Sequence, residues 1–155
     1  MKTILLFFIS LLSLQNCANK MQESFPVAIT ESYYQRWVAG VRGGGSGIGV
    51  YIRFEKALPN EITLTQLYFN NNFAKANKIS DTEYHFNFVG KANFDRGQEE
   101  PSDVPAQSNN TKVPFSIADN EAVLEYTQKR EKKYFKMTQL KEKEMLAYPS
   151  ARPQN

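Results

Sequence analysis

Alternation at period two across residues 32–54 constrains this chain more than any other feature. In SYYQRWVAGVRGGGSGIGVYIRF, Tyr33, Gln35, Trp37, Ala39 and Val41 alternate with Tyr34, Arg36, Val38, Gly40 and Arg42. After Gly43-Gly44-Gly45-Ser46-Gly47, the side chains of Ile48, Val50, Ile52 and Phe54 again fall on one face. A strand places successive side chains on opposite faces, so this is the pattern of strand, glycine loop and strand. The hairpin is the expected nucleus of a β fold.

The later chain continues the pattern. Phe25 to Thr30 suits a short edge strand, because Pro26 cannot donate a ladder hydrogen bond. Glu61 to Phe69 is rich in β-branched and aromatic residues, but Ile62 and Leu64 share one face while Leu67 and Phe69 share the other. A β-bulge near Thr65-Gln66 is therefore expected. Asn70-Asn71-Asn72 is a polar turn, Phe73 to Ile79 a weak strand, and Tyr84, Phe86 and Phe88 mark a clear strand that ends at Gly90. Asp95 to Lys112 is a loop of about eighteen residues, long beside the usual 4 to 6. Pro114 to Ile117 reads as extended.

Residues 121–146 admit two readings. As a hairpin, Leu124 and Tyr126 lie on one strand and Tyr134, Phe135 and Met137 on the next. As one helix, it would be capped by Asp119, but Arg130 and Lys141 interrupt its apolar stripe. The expected fold is all-β, a single antiparallel sandwich or small barrel of about seven to nine strands, with a C-terminal helix as the alternative.

Before this domain, Lys2 precedes a mostly apolar run from Ile4 to Leu14. A bilayer-spanning helix needs roughly 20 apolar residues, so the run has the proportions of a signal-peptide core. It leads to Leu14-Gln15-Asn16-Cys17, with Cys17 the sole cysteine. This stretch resembles the lipobox of bacterial lipoproteins, and the chain resembles small exported lipoproteins of Bacteroidetes, where looser lipoboxes occur. The resemblance implies a signal peptide over 1–16 and a diacylglycerol on Cys17; the residues that follow read as a polar tether to 24, a β domain over 25–148 and a frayed tail over 149–155. With no aspartate after Cys17, it implies the outer membrane of the cell envelope. The alternative is a secretory signal cut near Cys17-Ala18 by the ordinary peptidase.

Without residues 1–16 the chain holds 18 basic and 16 acidic groups, a balance that calls for no nucleic acid. No intramolecular disulfide is possible, so a domain of about 130 residues must be held by its core. His85 is the only histidine. Ordinary Cys-His catalysis and a Cys/His metal site are thereby excluded, and a Ser-His-Asp triad would need His85 without a Gly-x-Ser-x-Gly setting. The expectation is a solvated strand residue at His85 and no catalytic set, metal or cofactor. Glu99, Glu100 and Asp103 read as an acidic lip of the long loop.

The glycine loop has no G-x-G-x-x-G spacing and leads into a strand, so it is a hairpin tip whose glycines let a backbone or a ring pack closely. Arg42, Gly44 and Ser46 could form a small anion- or peptide-binding nest there. Trp37 and Tyr51, with Tyr33 and Tyr34, read either as packing or as a partner-binding face. Three functions follow as expectations. The first is a lipid-anchored, non-catalytic accessory or binding module with an envelope protein as partner. The second is a carrier of a small apolar ligand in a cavity lined by Ile52, Leu64, Phe86 and Phe88. The third is an envelope hydrolase with a carboxylate pair.

Overall fold

A computed structural model describes residues 21–41, 44–90 and 113–149. Cys17, Arg42, the acidic lip and residues 150–155 lie outside the described residues. The chain is all-β: two five-stranded sheets pack face to face as a sandwich and do not close into a barrel. The first sheet has the order β1-β9-β8-β4-β5, and the second β10-β2-β3-β7-β6.

The opening hairpin forms as its alternation dictates, from β2 (Ile29–Ala39) and β3 (Ser46–Phe54). On β3, Val50, Ile52 and Phe54 are buried between the sheets, against Phe86 and Phe88 of β7 (Glu83–Val89). The opposing sheet supplies Ile62, Leu64, Leu67 and Phe69 from β4 (Ile62–Phe69) and Leu124 and Tyr126 from β8 (Ala122–Gln128). Each such fully buried aliphatic or phenyl group contributes roughly 1.5–3 kcal/mol. The ladder between β4 and β8 shifts register between Leu64 and Gln66, where the expected bulge lets both halves of β4 send apolar residues inward.

Two left-handed residues, Asn70 and Asn71, join β4 to β5 (Asn72–Lys75). The weak strand expected over 73–79 is split. At Ala76 the chain leaves the first sheet, and β6 (Asn77–Lys78) pairs with β7 in the second.

Four expectations are corrected. Phe25 to Ala28 is not a strand: Phe25 inserts between the sheets, against Phe54, Tyr126 and Phe135, and Val27 is buried. The supposed tether contains β1 (Met21–Gln22), which pairs in parallel with β9 (Glu131–Met137). The C-terminal helix does not form; the hairpin does, with Leu124 and Tyr126 on β8 and Tyr134, Phe135 and Met137 on β9, but it ends at Met137, and residues 141–146 belong instead to β10 (Lys141–Tyr148), which crosses to the second sheet and pairs in parallel with β2. With these two parallel pairings the sandwich is mixed rather than wholly antiparallel. The physical reason is shared: each terminal segment runs alongside a sheet edge that would otherwise present open backbone.

On the outer face of the first sheet, Tyr68, Val123 and Tyr134 are covered by Val113, Phe115 and Ile117. Beneath that strap Glu125 is 2% exposed, and it accepts hydrogen bonds from the Tyr68 hydroxyl at 2.9 Å and Gln66 Nε2 at 3.1 Å. Lys132 Nζ stands 3.2 Å from the same carboxylate. Burial, and then the hydrogen bond to Glu125, push the Tyr68 phenol up to about 12. With no buried side-chain polar atom lacking a partner among the described residues, the group is a structural cross-link between β4, β8 and β9.

The β8–β9 turn places Lys129 and Arg130 at φ 51° and 70°, a conformation that costs a residue with a Cβ roughly 1–2 kcal/mol. Replacing the pair by Asn-Gly, which suits a two-residue hairpin turn, is expected to raise the urea-unfolding free energy by about 1 kcal/mol. An unchanged or lower midpoint would contradict this turn geometry.

Candidate functional site on the outer face of the second sheet

The register of β10, β2, β3 and β7 sets one outward residue of each strand in a row. Tyr33 pairs with Tyr51, and Tyr51 with His85. Adjacent strands lie about 4.8 Å apart, so rings on one row stack at that spacing. Tyr33 and Tyr51 stack at 4.9 Å and 14°, and Tyr51 and His85 at 4.5 Å and 21°. At the β10 end, Lys143 Nζ caps the Tyr33 face 3.3 Å from its centroid, a cation–π contact. The same ammonium bonds Glu31 at 2.8 Å, and Arg53 joins Glu31 at 3.1 Å to Glu83 at 3.4 Å.

His85 is therefore not the solvated strand residue expected from sequence. It is half-buried in a stack of rings, and burial holds its imidazole below the ordinary value.

A second group lies toward the glycine loop. Trp37 pairs with Gly47, and its ring rests on that glycine so closely that a Cβ there would meet Trp37 Cε2 at 2.7 Å and the Phe88 carbonyl oxygen at 2.5 Å. Trp37 Nε1 donates to Asn87 Oδ1 at 3.1 Å, and Tyr148 meets the indole edge-on at 6.4 Å. The expectation that these glycines admit a ring is met at Gly47, and again at Gly49, where a Cβ would lie 2.8 Å from His85 Nε2. Trp37 is part-exposed on the outer face and does not belong to the core between the sheets.

Around Trp37 the surface is apolar. Val41, Val89, Leu146 and Tyr148 are exposed, and all lie at the glycine-loop end of the second sheet. Ser46 and Gly44 are exposed at the tip, but the Gly44 amide donates to the Val41 carbonyl at 3.1 Å, so it closes the turn instead of facing outward. Trp37 and Tyr51 thus share the outer face of the sheet, whereas Gly44 and Ser46 stand at its tip.

A shallow cleft of about 170 Å³ opens at the same end, between Gly47, Ile48 and Phe88 on one side and Phe69, Asn70 and Asn72 on the other. Ligand pockets are commonly about 300–1,000 Å³, so this one suits a side chain better than a whole ligand. Of the four residues named for a carrier cavity only Phe88 lines it; Ile52, Leu64 and Phe86 are packed in the core. Among the described residues no group of three His, Cys, Asp or Glu side chains is placed to hold a metal ion.

Sequence reading named Trp37 and Tyr51 but missed Tyr148, Leu146, Asn87 and Lys143. The signal for the first two was present as Met145-Leu146-Ala147-Tyr148, an apolar run directly after Lys-Glu-Lys-Glu. No protein-family model, curated protein or solved structure matches this chain.

The His85 stack gives a pH dependence with a definite sign. Because the folded imidazole titrates below its ordinary value of 6.5, the unfolded chain binds more protons in the window under 6.5. The stabilisation is complete above 6.5 and is lost as pH falls through the folded value. Glu31, Asp81, Glu121 and Glu142 are also held low, by ion pairs with Lys143, Lys78, Lys136 and Arg36 respectively, and they lose stabilisation only below about 4.5. Denaturant midpoints should therefore fall between pH 7 and pH 5.5 in the native chain and stay level in His85→Phe. Parallel profiles for the two proteins would refute the assignment.

Proposed function

We propose that this protein is a lipid-anchored, non-catalytic binding module of the bacterial cell envelope, tethered through Cys17 and meeting a protein partner with the outer face of its second sheet. The observation that carries the reading is the part-exposed Trp37, laid on Gly47 and flanked by exposed Leu146 and Tyr148, with Val41 and Val89 exposed at the same end of the sheet. Exposed apolar groups gathered around an aromatic anchor, with polar groups at the margin, have the make-up of a protein-binding patch. Lys143, Gln35 and Asn87 supply that polar margin, and the ring stack beside it keeps the sheet rigid.

The anchor rests on Leu14-Gln15-Asn16-Cys17 after the apolar run. One acyl chain holds a protein to a bilayer only reversibly, whereas two or three on one residue hold it firmly. Such a tether would keep the sandwich at the membrane surface without inserting it. The outer membrane is the proposed location, from the absence of an aspartate after Cys17. The carrier reading has less support, because its four named side chains fill the core.

Intact mass of the protein from the membrane fraction of a bacterial host tests the anchor. The expected mass is residues 17–155 plus a diacylglyceryl group, and Cys17→Ser is expected to leave the membrane. Retention of that variant, or a cut after Ala18 without lipid, would overturn it.

A photo-crosslinking side chain at position 148, compared with one at Thr63 on the other sheet, tests the face. A saturable adduct of one defined mass is expected from 148 alone. Equal labelling from both positions would remove the outer-face assignment.

A further inference from the structure

Among the described residues three of the four sheet edges are short: β1 and β6 have 2 residues each, and β5 has 4. The fourth, β10, runs for 8 residues, pairs only with β2, and is exposed at every position. An edge of that length offers a row of backbone donors and acceptors to any strand that fits. We propose that β10 is a docking edge for an extended segment of a partner protein, one carrying acidic side chains at one end and apolar side chains at the other. The inference rests on the binding-module reading above and gives that partner a chemistry and a mode of attachment.

The chemistry comes from the register. Lys141 pairs with Tyr33, Leu146 with Trp37 and Tyr148 with Ala39. Lys143 reaches the Tyr33 ring, and Tyr148 the Trp37 ring. Lys141, Lys143, Leu146 and Tyr148 therefore succeed one another along the outer face, while Glu142 turns to the opposite face and bonds Tyr34 and Arg36. A strand added beside β10 sets its own outward residues beside Lys141 and Lys143, the second of them shared with Glu31, and then against Leu146 and Tyr148. Carboxylates complement the first pair, and aliphatic or aromatic groups complete the Trp37 patch.

The same pattern disfavours a second copy of this chain. Two copies joined edge to edge by a twofold axis normal to the sheet must pair residues of like face. Such a pair is antiparallel: full overlap sets Lys141 and Lys143 against Tyr148 and Leu146, and an overlap confined to 141–144 sets Lys against Lys and Glu against Glu. Neither register gives the lysines a carboxylate, so β10 is better matched by a strand of different sequence than by its own copy.

Trp37 is the only tryptophan, so its emission reports on this end of the sheet. Full-length protein in detergent is titrated with a short capped peptide of alternating threonines, in which two valines are followed by two aspartates on one face. The reversed order, a version with lysine for aspartate, and a version N-methylated along the pairing edge are run beside it. The aspartate peptide, in one of its two orders, is expected to bind saturably. The lysine and N-methylated versions are each expected to bind at least about tenfold more weakly, and Lys141→Glu is expected to turn the preference toward lysine. N-methylated peptide binding as well as the parent, no binding in either order, or self-association through β10 without peptide would each overturn the proposal. If the peptides fail while the adduct at position 148 still forms, the edge is refuted and the binding face stands.

Discussion

Burial of Val50, Ile52 and Phe54 between the sheets is the contact on which the rest of the structure depends. Those three side chains fix which face of β3 looks inward, and a one-residue slip would turn all of them to solvent. With the register so fixed, Gly47, Gly49 and Tyr51 must look outward. The outer surface is thus a consequence of the core: the alternation that buries one side of β3 leaves on the other two glycines and a ring. Trp37 and His85 lean into the room that the glycines leave.

The two outer faces of the sandwich have different fates. On the first sheet, Phe115 and its neighbours cover Tyr68 and Tyr134, and the buried carboxylate of Glu125 is fully hydrogen-bonded. Among the described residues no buried side-chain polar atom there lacks a partner. The second sheet carries a row of rings closed by Lys143 at one end, then an apolar area with no cover of that kind among the described residues. The asymmetry follows from topology, since the segment over 113–117 leads into β8 of the first sheet and lies across it.

The edges follow a similar logic. Among the described residues three are cut short, and the long one carries charge over only half its length. Lys141 to Glu144 place like charges on each face, whereas Met145 to Tyr148 are apolar and exposed. Between the halves the register with β2 shifts, and Gln35 Nε2 donates to the Glu144 carbonyl at the irregularity.

By itself the sequence determined the local matters: that the chain is all-β, that 32–54 is a hairpin, that β4 bulges at Thr65, and that glycines would admit a ring. Period two, β-branched content and a break in alternation are short-range signals, readable within about ten residues. It also held the Lys-Glu-Lys-Glu and Met-Leu-Ala-Tyr runs, but these had no meaning without a neighbour. The β8–β9 hairpin was ambiguous for a local reason: its turn is Lys129-Arg130, good helix formers in place of the glycine or asparagine that marks such turns. Only the tertiary structure decided that Tyr33, Tyr51 and His85 stand in one row, that Trp37 rests on Gly47, that Met21-Gln22 belongs to a sheet, and that the last strand crosses to the other one. Those facts depend on the register between strands up to about a hundred residues apart in sequence. Register is set by the summed burial of the whole core, which no single segment contains.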